Sequence, residues 1–184
     1  MEKNKNTMKN NDAVSAFEKR DGTDSYEYLK NHFELHAQEK CQNLHLSAET
    51  KRILCETGLP EEIEYFNIHF YMSSPEKICS VDNCVVIGND FGTDIRINSQ
   101  DEVISVDPCG KLPTRFINTN LEAFLEFLAI FLKFLERAAD ADEDEAERMF
   151  REVRKEFEKA DAKALCDEEN WWAVILEDME SEFM

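Results

Sequence analysis

Residues 85–107 read VVIGNDFGTDIRINSQDEVISVD, and this stretch decides the fold class. A short apolar run from Asn83 to Ile87 ends at Gly88. Between Thr93 and Asn98, Ile95 and Ile97 alternate with Asp94 and Arg96, and from Glu102 to Asp107, Val103 and Ser105 alternate with Ile104 and Val106. A period of two sends successive side chains to opposite faces, so these segments are predicted strands. Gly88-Asn89-Asp90, Ser99-Gln100-Asp101 and Pro108-Cys109-Gly110 are predicted turns. Connections this short join antiparallel neighbours, because a parallel pair needs a crossover of a dozen or more residues. Upstream, the aromatic and β-branched IEYFNIHFYM, residues 63–72, reads as one more strand.

Helices flank this block on both sides. Thr23 as N-cap and the spacing of Leu29, Phe33 and Ala37 predict a first helix from about Asp24 to Cys41. In SAETKRILCETG, Ser47 is the predicted N-cap, Thr50 stands where a capping box would have Glu, and Gly58 is the stop. Asn118 or Asn120 opens a helix apolar at 12 of the 15 positions from Leu121 to Leu135, which must be covered on nearly all sides. Ala146, Met149, Phe150, Val153, Phe157 and Ala160 then line one face of an amphipathic helix whose acidic start, Asp142 to Glu145, suits the helix dipole. A last helix runs from about Glu169 to Glu182 and carries Trp171 and Trp172. The predicted class is α+β: a twisted antiparallel meander with N-terminal and C-terminal helices packed on it. Residues 24–184 are expected to form one domain with an acidic helical C-terminal part, after a polar, mobile segment at 1–23.

The chain has 184 residues, 40 Asp or Glu against 21 Lys or Arg, and a formal charge of -19. Such a surface disfavours direct contact with nucleic acid, which requires a basic face, and with anionic membranes. It favours a basic protein partner. The excess is concentrated late, with 18 acids against 7 bases from Glu136 to Met184. Cys41, Cys55, Cys79, Cys84, Cys109 and Cys166 form no CxxC pair, and the first residues, MEKNKNTMKN, lack the apolar core of a signal peptide. Reduced thiols and a cytoplasmic location are expected.

Chemistry-bearing motifs are sparse. Asp90-Phe91-Gly92 spells the metal-binding tripeptide of kinases but stands without a Gly-rich loop or HRD motif, so it reads as a turn. Asp90, Asp94 and Asp101 lack the Gly spacing of a calcium loop. His32 and His36 lack the Glu that directly follows the first His in zincins, and Cys79, Cys84 and His69 lack tight ligand spacing. No catalytic residue, cofactor or metal is therefore assigned, and the chain does not read as an enzyme. Trp171 and Trp172 are adjacent and cannot share one helix face, so one is expected in the core and Trp172 is taken as an exposed interface anchor.

In order along the chain, GLP at 58–60, VVIGNDFGTDIRI at 85–97, EVISVD at 102–107, FINTNLEAFLEFL at 116–128 and the late Trp-containing helix resemble the SUKH superfamily, most closely its fourth family. The resemblance spans roughly residues 47–183. Thr93-Asp94 and the charged stretch 138–158 depart from the family pattern. The resemblance implies a bacterial immunity protein that binds and neutralises a cognate polymorphic toxin domain, of nuclease or deaminase type, by stoichiometric occlusion. The alternative it implies is a regulatory scaffold of the Smi/Knr type with no toxin partner, and gene neighbourhood separates the two. The candidate partner-binding residues are the polar groups at strand ends, Asp90, Asp94, Arg96, Asp101 and Glu102, with Trp172 as apolar anchor.

Overall fold

The computed structural model describes residues 23–183, with side chains from 27 to 180. The mobile segment expected at 1–23 lies, apart from Thr23, outside the described residues. The class is α+β. Strands β3 (Glu62–Ile63), β4 (Ile68–Phe70), β6 (Cys84–Asp90), β7 (Thr93–Ile97), β8 (Val103–Val106) and β9 (Arg115–Asn118) pair in that order, every pair antiparallel. Strand β5 (Cys79–Val81) shares an edge of β6 with β4: β5 pairs its first half and β4 its last three residues.

Alternation along the sheet sorts core from surface. Val85, Ile87, Ile95, Ile97, Val103 and Ile117 are buried in the core at 3% exposure or less. Val86, Arg96, Ile104 and Phe116 form a cross-strand row on the other face. Bulges at Ile87 and Ile117 keep both apolar sets aligned across the register shifts.

Against the core face lies α3 (Leu121–Ala138), capped by Asn120, whose side chain accepts from the Ala123 amide. Of the two candidate caps Asn120 is the one used, while Asn118 turns inward and accepts from the Trp172 indole. The all-round apolar composition of α3 is matched by its surroundings. Phe124 meets Phe70 of the sheet, Phe127 stacks on Phe157 of α4 (Glu143–Asp161) at 3.8 Å, and Tyr28 and Leu29 of α1 (Thr23–His32) join the same core. No described helix is long and apolar enough to cross a membrane.

Four expectations are corrected. The first helix ends at His32, not Cys41: Leu35–His36 leaves it as β1 and pairs with β2 (Leu59–Pro60), and Glu39–Asn43 forms a separate 3-10 turn. Helical propensity yields here to a tertiary strand pairing, so Ala37 is exposed and His32 and His36 occupy different elements. The strand expected over 63–72 is instead a hairpin, β3 and β4 joined by a 3-10 turn at Glu64–Phe66 and by Asn67 in the left-handed region at φ 50. Gly88-Asn89-Asp90 continues β6 and is not a turn. Gly88 is required because a Cβ there would lie 2.5 Å from the carbonyl oxygen of His69 on the neighbouring strand. The reversal falls at Phe91-Gly92, both at positive φ. Finally, Trp171 and Trp172, which open α5 (Trp171–Phe183), are both buried, at 7% and 0% exposure.

Candidate functional site

The β6–β7 hairpin, the turn between β3 and β4, and α5 meet at one end of the sheet around a cleft of about 350 Å³. Among the described residues its lining combines Tyr65, Phe66, Phe91, Trp171, Ile175 and Met179 with two carboxylates, Asp90 and Asp178, and no cation. Each wall is set by local sequence. Tyr65 is presented by the turn that Asn67 closes, and its hydroxyl donates to Met179 Sδ at 3.0 Å. Phe91 is held at the hairpin apex with φ 39 and is 90% exposed. A bulky residue in the left-handed region is strained, and an exposed phenyl ring returns no burial energy to offset that strain.

Asp90 forms the polar floor. Its Oδ2 accepts from Trp171 Nε1 at 2.6 Å, and its Oδ1 accepts from the Thr93 hydroxyl, which in turn contacts Ser105 Oγ. Burial raises the Asp90 carboxyl above the ordinary carboxylate range, against the lowering effect of the Thr93 and Trp171 bonds. Among the described residues no Lys, Arg or His pairs with it. The site therefore holds a partly desolvated carboxylate beside exposed aromatic surface, a combination suited to recognising a partner group.

Of the six residues singled out in the sequence, only Asp90 lies in this cleft. Asp94 and Arg96 point to the outer face of the sheet and pair with each other, Arg96 Nη2 donating to Asp94 Oδ2 at 2.7 Å with Asp82 at 4.0 Å. Arg96 is 6% exposed, so its charge is already satisfied inside the fold. Asp101 and Glu102 sit in the β7–β8 turn, at the opposite end of β7 from the cleft. Asp101 accepts from the Ser47 amide, the Ser47 hydroxyl and the Thr50 hydroxyl, fastening α2 (Ala48–Arg52) to the sheet. Glu102 accepts from Lys163 and Asn98, and the Lys163 bond holds its carboxyl below the usual range. Trp172 cannot serve as an exposed anchor. It is enclosed by Phe66, Phe124, Phe127, Phe131 and Phe157, and its Nε1 donates to Asn118 Oδ1 at 2.9 Å.

The sequence reading missed Phe91, Tyr65, Ile175 and Met179. One signal was present at Phe91: a large apolar residue followed by Gly inside a predicted turn, where solvation would favour a polar side chain. Nothing local marks Tyr65 or α5, because the cleft joins segments about 80 to 110 residues apart.

The six cysteines are free, and burial pushes the Cys41 thiol up to about 11, which makes it inert at neutral pH. No curated protein and no solved structure matches the chain. A family model described as the SUKH-4 immunity protein matches residues 30–178, beginning 17 residues before the resemblance read from the motifs and so taking in the end of α1, β1 and the turn after it. With that match covering most of the chain and the antiparallel sheet and helices in place, the protein belongs to the SUKH-4 immunity protein family.

Proposed function

We propose that the chain acts in the cytoplasm as the immunity partner of one polymorphic toxin domain, holding it in a stoichiometric complex that occludes its active site. The observation that carries this reading is the family match over residues 30–178. The charge of -19 supports a basic target of the nuclease or deaminase type, since an acidic inhibitor competes with nucleic acid for a cationic cleft. The end of the sheet with its exposed Phe91 supports binding by surface complementarity.

The test is co-expression of the chain with each toxin domain encoded in its own locus. Protection of the host cell, together with a one-to-one complex by size-exclusion chromatography with light scattering, is the expected result. If no toxin of the locus is neutralised and none co-elutes, the reading is wrong, and a Smi/Knr-type scaffold takes its place.

A further inference from the structure

We propose that the Phe91 cleft is the receptor for a single Lys or Arg side chain of the toxin, carried next to an apolar residue that packs on Phe91. This inference rests on the immunity reading for the partner's identity. The chemistry of the occupant comes from the cleft itself.

The first observation is Asp90. A carboxylate withdrawn from water is stable only when its lost hydration is replaced, and a countercharge does this best. Its partners here are the Thr93 hydroxyl, the Trp171 indole N–H and the backbone amides of Asp90 and Thr93, all neutral. Among the described residues the outer-face Asp94 has a cation beside it, Arg96 at 2.7 Å, and Asp90 has none. A neutral or acidic occupant would dehydrate Asp90 further with nothing in exchange. A cationic one supplies the missing charge.

The second observation is the aromatic surface. Phe91 is 90% and Tyr65 49% exposed, the largest exposures of aromatic side chains among the described residues. Their rings, with Trp171 behind them, offer faces on which a guanidinium or ammonium stem can lie. Size sets the third limit. About 350 Å³ is near the lower end of the roughly 300–1,000 Å³ typical of ligand pockets, so it admits a side chain and not a helix.

A direct probe is the peptide Ac-Gly-Leu-Arg-Leu-Gly-NH2 titrated into the ¹⁵N-labelled full chain, with a peptide carrying Gln for Arg as control. The Arg peptide is expected to move the Trp171 indole N–H and the Phe91 and Gly92 amides while leaving the Trp172 indole, which bonds Asn118 in the interior, unmoved. Phe91→Ala and Asp90→Asn are each expected to weaken that binding at least fivefold. Equal shifts from the Gln peptide, shifts confined to another surface, or none at all overturn the proposal. With the toxin domain itself, Phe91→Ala is expected to lower affinity at least tenfold. If wild type and Phe91→Ala bind the toxin equally, the cleft proposal fails while the immunity function stands. If wild type binds no toxin, the function fails and the peptide titration alone decides what the cleft accepts.

Discussion

Asp90 works against the stability of its own fold. Its carboxyl is raised above the ordinary range because burial disfavours the charged form, so the folded state binds a proton more readily than the unfolded chain. Stability therefore falls as pH rises through the window from the ordinary carboxylate value, near 4, to the raised folded value, and the full penalty applies above it. An amide at position 90 can still accept from Trp171 Nε1, and it carries no charge to desolvate. Asp90→Asn is accordingly expected to unfold at higher urea concentration than wild type at pH 7, with the gap narrowing as pH is lowered toward 4. Parallel urea melts at several pH values check this, and a variant less stable than wild type at pH 7 would show that the hydrogen bonds to the carboxylate outweigh the cost of burying it. A carboxylate that destabilises the monomer and faces an open cleft gains most from a cationic occupant, and this separates Asp90 from Asp94 and Asp101, which already have partners in the fold.

At the scale of elements, the difference between what could be read and what could not follows the range of the determining contacts. The strands β7 and β8 and the helix α4 are written in local periods, and α3 in its near-continuous apolar composition, so each was legible from its own residues. The end of α1, the break between β3 and β4, and the double burial of the tryptophans depend on partners far along the chain: β2 for β1, β6 for β4, and both Asp90 and Asn118 for the start of α5. Turn position failed for a related reason, since Gly88 answers to a crossing backbone and not to a reversal. Element α2 shows the same dependence and can be tested. Its five residues are too few to persist alone, and it is pinned by Ser47 as cap and by Asp101 from the β7–β8 turn. Asp101→Ala removes three bonds, leaves the buried Thr50 hydroxyl without its acceptor, and places Ala at φ 68. The expected loss is about 1–3 kcal/mol, with faster amide hydrogen exchange across Ala48–Thr57. Toxin affinity should be unchanged, and a loss of affinity without a loss of stability would return Asp101 to the interface.

For the whole molecule, the acidic excess and the cleft predict separable kinetic signatures. On α4 the bases are largely spoken for locally: Arg148 pairs with Glu145, Arg151 with Glu147 and Arg154 with Glu180 of α5. These exposed pairs add little stability, and with Lys155 and Lys159 they still leave acids in excess on α4 and α5 in a chain of net charge -19. The resulting field acts at a distance, and salt shortens its reach from about 10 Å at 0.1 M to about 3 Å at 1 M. Contacts formed inside the cleft are short and partly dehydrated, and salt reaches them poorly. Association with the toxin should therefore slow at least tenfold between 50 and 500 mM salt while dissociation changes little. Phe91→Ala should give the reverse pattern, faster dissociation at nearly constant association, because an uncharged apex residue contributes to the bound state and not to steering. Stopped-flow measurements of both chains at both salt concentrations separate the two effects. If salt acts on dissociation and Phe91→Ala on association, the division of labour between the acidic helices and the Phe91 cleft is wrong, and recognition must be assigned to the charged faces of α4 and α5.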